Sequence, residues 1–197
     1  QSTSHTFMAS TVPTGTISSW LILEETWSPY RLEGDLTVAS NTRMTVNDGV
    51  ELRIASNAII DVQGIFEAGM ATISSTGFGA RWGGLMLDGI VGSRVDLSGT
   101  LLAEGSPLIT MAGRGDVSAQ GVQFARSAGA DPLISIYASA QSSLTLIDSE
   151  LRDAGSRCIQ SQSPDATIVL RDVELSGCNG DGLWARLSPI DVQGITL

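Results

Sequence analysis

Asp148 and Asp172 lie 24 residues apart, and so do Glu150 and Glu174. Carboxylates brought side by side either push one member's pKa up, which makes an acid/base pair, or share a cation. Asp148 and Asp172 are therefore the candidate metal residues, with Ca²⁺ as the one candidate ion and no other cofactor expected. The plainer reading is that aspartate suits a turn there, with Arg152 and Arg171 neutralising an outer face. Cys158 and Cys178 are 20 residues apart and form no CxxC motif, which argues against zinc. A disulfide and a pair of buried thiols both stay open. The loop 178–185, Cys-Asn-Gly-Asp-Gly-Leu-Trp-Ala, holds polar groups suited to a ligand, but Asn-Gly and Asp-Gly are also common turn formers. Four tryptophans, at 20, 27, 82 and 184, would stack on sugar rings only if they shared a face. Otherwise Trp20 and Trp27 close the N-terminal end, and Trp82 packs at the base of a loop.

The elements that must position these residues are strands. No stretch holds a 3.6-residue apolar period over three turns, because Gly, Ser, Thr or Asp interrupts every candidate. Short alternating runs bounded by turn residues recur instead, at Leu36, Val50, Ile59, Leu85, Leu133, Leu144 and Thr167. Segments starting at Ile60, Val95, Val117, Leu144, Ile168 and Ile190 share one pattern: apolar, any, small or apolar, any, then Gly or Asp. With Leu36 as an earlier member, their spacings are 24, 35, 22, 27, 24 and 22 residues. The spacing of 35 spans Ser75–Gly84, which reads as an inserted loop. Three strands of about four residues and three turns consume such a period, as a three-sided parallel β-coil requires. The expected fold is all-β, a right-handed parallel β-helix of six to seven coils. Residues 1–19 read as a polar leader or linker, and 20–197 as the β-helix domain with an N-terminal cap at 20–35.

Charge bounds the partners. The 197 residues carry 11 basic and 21 acidic side chains, a net charge of −10, and all the basic residues are arginine. Scattered arginines in an acidic chain do not suit phosphate backbones, so no nucleic-acid partner is expected. No apolar run reaches the length of a membrane span. The low charge, the acidic balance and the absence of lysine fit an extracellular or cell-surface protein.

The stretches 27–54, 81–89 and 171–184 resemble the secreted right-handed parallel β-helix proteins of the pectate-lyase-like superfamily. The likeness is greatest to non-catalytic β-helix modules of bacterial and archaeal surface proteins. It covers about 28–197 and implies the fold more firmly than a function, since this fold hosts lyases, hydrolases, epimerases and adhesins. The hydrolases of the superfamily use paired aspartates, a Gly-His-Gly and an Arg-Ile-Lys motif. This chain has no adjacent aspartates and no lysine, and its one histidine, His5, lies in the leader. Its arginines sit in no recognisable lyase motif. The expectation is a non-catalytic structural or adhesive module, with a carbohydrate-active or carbohydrate-binding β-helix as the alternative. The open ends of such a coil need a partner. Trp20, Leu21, Ile22 and Leu23 at one end, and Ile190, Val192, Ile195 and Leu197 at the other, form the expected assembly edge. Its partner is a second copy stacked head to tail, as in a filament or surface layer, or further chain of the same protein; cell-surface glycans are a further candidate partner.

Overall fold

A computed structural model describes residues 10–77, 79–88, 92–127, 129–137, 141–186 and 188–197. Strands dominate it, stacked in parallel as a β-solenoid of about 7 turns. Each turn visits three faces. Face I carries Gly15–Ile17, Leu36–Val38, Ile59–Val62, Gly84–Leu87, Ile109–Met111, Ile134–Ile136, Ile159–Ser161 and Leu183–Ala185. Face II begins with Leu21–Leu23, Arg43–Val46, Ile65–Ala68, Arg94–Ser98, Asp116–Gln120 and Ser143–Ile147. Face III begins with Ser10–Thr11, Tyr30–Leu32, Glu51–Ile54, Thr72–Ser75, Leu101–Ala103, Gln123–Ala125 and Glu150–Arg152. The strands Thr167–Ser176 and Ile190–Thr196 each run across faces II and III, joining them into one sheet.

Alternation explains why these runs become strands. Every second side chain points inward, and stacking places like residues above one another at about 4.8 Å. Leu36, Ile60, Leu85, Ile109, Ile134 and Ile159 form the inner ladder of face I. On face II the ladder is Met44, Phe66, Val95, Val117, Leu144 and Ile168. Face III contributes Leu52, Ile73, Leu102, Phe124 and Leu151. All of these are at most 1% exposed. Each such side chain contributes roughly 1.5–3 kcal/mol by leaving water, an upper bound because unfolded chains are partly compact.

The ladders correct the repeat register. Ile60 stands on face I between Leu36 and Leu85, whereas Val95, Val117, Leu144, Ile168 and Ile190 stand on face II. The spacing of 35 therefore compares two different faces. Within face I the inner residues 36, 60, 85, 109, 134, 159 and 183 recur every 24 or 25 residues. Within face II, Phe66 and Val95 are 29 apart, against 22 for Met44 to Phe66. The extra length is shared: Leu85 to Val95 spans 10 residues against 6 for Ile60 to Phe66, and Ile73 to Leu85 spans 12 against 8 for Leu52 to Ile60, the longer connection there being the loop 76–83. Trp82 anchors it, fully buried, with its indole N–H donating to the Ala103 carbonyl at 2.9 Å.

The N-terminal boundary also moves. Ser10–Thr11 and Gly15–Ile17, read from sequence as leader, are strands of the first coil, paired with Tyr30–Arg31 and Leu36–Val38. Leu21–Leu23 is a face II strand paired with Met44–Val46, so the segment at 20–35 is built into the coil. His5 lies outside the described residues.

The corner from face II to face III tightens along the chain. It takes residues 24–29 in the first coil, including a 3₁₀ turn at Glu25–Trp27, then 47–50, 69–71, 99–100, 121–122 and 148–149. In the next coil the strand Thr167–Ser176 passes it without a break, pivoting at Asp172. Gly99, Gly121, Asp148, Asp172 and Gly194 all have φ between 49° and 68° there, the left-handed conformation a one-residue corner demands.

Candidate functional site

Asp148 and Asp172 occupy this corner in adjacent coils, with Ile147 beside Arg171 and Glu150 beside Glu174. The repeat thus brings the carboxylate pairs into register as the sequence suggested. Their neighbours are cations: Arg152 reaches Glu150 at 3.3 Å and Asp153 at 3.5 Å, and Arg171 reaches Asp191 at 3.1 Å. Ca²⁺ takes six to eight oxygens. Among the described residues no group of three or more His, Cys, Asp or Glu side chains is placed to hold a metal ion. What Asp148 and Asp172 visibly do is turn the chain, since aspartate tolerates the left-handed region better than most residues.

Cys158 and Cys178 are joined as a disulfide, with Cα atoms 5.5 Å apart. Cys158 is fully buried before the face I strand Ile159–Ser161, and Cys178 is partly buried in the corner at 177–182. That corner contains the Asn-Gly-Asp-Gly run, which serves as a turn: the Asn179 and Gly180 amides donate to the Ala154 and Ser156 carbonyls.

The expected assembly edge divides. Strand alternation sends Leu21 and Leu23 inward, Leu23 being only 2% exposed, and Trp20 and Ile22 outward, at 71% and 53%. Trp20 lies over the Arg43 guanidinium, 5.6 Å from the ring centre, so it belongs to the outer surface of face II. Trp27 is likewise exposed. The four apolar residues are therefore no single capping surface. At the other end the pattern is inverted. Ile190 and Val192 hold the same inner positions as Ile168 and Leu170, yet are 43% and 45% exposed, and Leu197 is 89% exposed. Ile195 is partly buried against the core.

Two features were invisible in the sequence. The long first corner overhangs face II and makes a cleft of about 770 Å³, walled by Glu24, Glu25, Asp48, Glu67 and Asp96 and floored by Ala68 and Leu97. Arg43 binds Glu67 at 3.4 Å and Arg94 binds Asp96 at 2.6 Å, so part of this charge is already compensated. On face I, Asp61 has its pKa raised above the ordinary aspartate value by burial and by the nearby Asp88 carboxylate, against a hydrogen bond from Gln63 that lowers it. The other Asp61 oxygen is buried without a hydrogen-bond partner among the described residues. No signal in the repeat pattern marks either place, because each depends on what a neighbouring coil lays over it.

Together the ladders and the corners define a parallel β-solenoid. No helix among the described residues is long and apolar enough to cross a membrane. Compared with known proteins, the chain matches no family model, no curated protein and no solved structure.

Proposed function

We propose that this chain is a non-catalytic extracellular structural or adhesive module that assembles end to end, akin to the β-helix modules of pectate-lyase-like surface proteins. One observation supports this above the rest. The strand Ile190–Thr196 pairs on one side only among the described residues, while Ile190 and Val192 keep the inner-ladder pattern with nearly half their surface in water. A regular apolar edge of this kind is a template for another strand. The partner is a second copy, whose first-coil strand Leu21–Leu23 is the face II counterpart and pairs only with Met44–Val46 among the described residues. Such a head-to-tail contact does not close on itself and propagates into a filament. Placement outside the cell agrees with the disulfide and with the acidic, lysine-free composition.

Sedimentation velocity over a concentration series tests the reading. The 197-residue chain should show elongated oligomers growing with concentration, and Val192→Lys should sediment as monomer. A chain that is monomeric throughout contradicts assembly through this edge and leaves further chain of the same protein as the occupant. The acidic cleft favours a second reading, a carbohydrate-binding β-helix in which carboxylates, hydroxyls and the Gln120 amide accept and donate to sugar hydroxyls. Calorimetric titration with neutral and acidic oligosaccharides separates it from the first.

A further inference from the structure

The terminal coil is held differently from the coils before it. Its strand Leu183–Ala185 is only partly buried, and its strand Ile190–Thr196 is exposed at every position except Ile195. In the interior coils the inner side chains are sandwiched between two neighbours; here one neighbour is absent from the described residues, and apolar burial holds the coil weakly. Two adjacent residues of the preceding coil reach across instead. Arg157 pairs with Asp181 at 3.2 Å and covers the Trp184 ring at 4.9 Å from its centre, and Cys158 is bonded to Cys178. The ion pair is largely exposed and the cation–π contact sits at the surface, so each is individually weak.

We infer that the Cys158–Cys178 disulfide is a redox latch for the terminal coil: reduction releases the strands Leu183–Ala185 and Ile190–Thr196 while the preceding coils stay folded. The chemistry is a thiol–disulfide exchange. A thiolate of an external dithiol attacks the Sγ of Cys178, the more accessible sulfur, and the S–S bond breaks with Cys158 leaving as thiolate. Cys158 then takes up a proton, and the Leu151 carbonyl, 3.6 Å from its Sγ, stands ready to accept from the new thiol. The second thiol of the reductant displaces Cys178 from the mixed disulfide, so the protein gains two thiols and the dithiol becomes a disulfide. Reduced, the coil retains the Arg157 contacts and its strand pairing but no covalent tie at the corner from which it departs. Resting on the assembly reading above, the latch makes the assembling end conditional on oxidising surroundings.

Hydrogen exchange read by mass spectrometry, on dilute monomer with and without a dithiol, tests this, with alkylation of two thiols confirming complete reduction. Amides of 183–185 and 190–196 should exchange at least roughly tenfold faster after reduction, as expected for local opening, while strands from Leu36 to Ile147 change less than about twofold. Cys178→Ser should reproduce the reduced pattern without reductant. Unchanged exchange at the terminal coil overturns the latch, and so does acceleration throughout the chain. Sedimentation under reductant then reads the coupling separately: loss of assembly together with local opening supports it, and undiminished assembly by a protein whose terminal coil has opened overturns it. If the oxidised chain does not assemble at all, the assembly reading fails while the exchange result still decides the latch.

Discussion

The hexapeptide Ile-Asp-Val-Gln-Gly-Ile occurs twice, at 60–65 and at 190–195, and the two copies lie in different parts of the coil. In the first, Ile60 and Val62 point into the core from face I, and Gln63 and Gly64 make the corner to face II. In the second, Ile190 and Val192 hold the inner positions of face II, and Gly194 makes the corner to face III. Identical residues thus build a strand and a corner in both places. What differs is the neighbourhood: Ile60 and Val62 are fully buried between two coils, whereas Ile190 and Val192 rest on one coil and remain nearly half exposed. Local sequence sets the alternation, and stacking sets the energy.

Mutating the same residue in each copy measures that difference. The largest contrast is expected at the first position. Ile60→Ala opens a cavity in a closed ladder and should cost about 2–5 kcal/mol, while Ile190→Ala, at a half-solvated site, should cost less than about 1 kcal/mol in urea unfolding. Equal costs would mean that the terminal coil is as tightly covered as the interior.

Glycine gives the next contrast, for two different reasons. A Cβ on Gly64 would sit 2.4 Å from both the Ala39 and the Thr42 carbonyl oxygens, which are backbone and cannot step aside. Gly64→Ala should therefore destabilise by about 3 kcal/mol, in the range of severe overpacking. At Gly194 the φ of 68° is the cost, about 1–2 kcal/mol for an L-residue, and the nearest obstacle is the Asp172 side chain, which can rotate. The two urea midpoints should separate accordingly, with Gly64→Ala the lower.

The aspartates supply the smallest effect and one that depends on pH. Asp61 has a raised pKa in the folded protein, so folding is helped by its protonated form: the contribution is complete below the unfolded pKa and is lost as pH rises through the folded one. Asp61→Asn should flatten that decline and leave the protein at least as stable at pH 7. Asp191→Asn removes an exposed pair with Arg171 and should shift stability by less than about 0.5 kcal/mol. Thermal melts of both variants between pH 4 and 7 check this. A wild-type decline that survives in Asp61→Asn would place its origin in another group.

The hexapeptide also explains how far the sequence could be read. Alternating apolar residues and Gly or Asp corners identify a parallel coil, and the period of 24 brings Asp148 to Asp172 and Glu150 to Glu174, whereas Cys158 and Cys178, 20 apart, fall four residues out of register and are joined across a corner. Phase is another matter, because all three faces use the same apolar–any–apolar strand followed by a turn. A repeat traced by similarity slides from Ile60 on face I to Val95 on face II with nothing in the residues to resist it. Trp20–Leu23 misleads in a related way: as a run it reads as one apolar surface, but a strand divides it between core and solvent. The acidic cleft needs a corner from one coil to overhang strands of the next coils, a relation that no local pattern encodes.

Side-chain proximity around Ile60 tests the account most directly. With selectively labelled isoleucine, leucine and valine methyl groups, nuclear Overhauser contacts should connect Ile60 to Leu36 and Leu85, its neighbours on face I, and should connect Ile190 to Ile168 on face II. Contacts from Ile60 to Val95, as a single unbroken repeat would require, would contradict the three-faced stacking on which the rest depends.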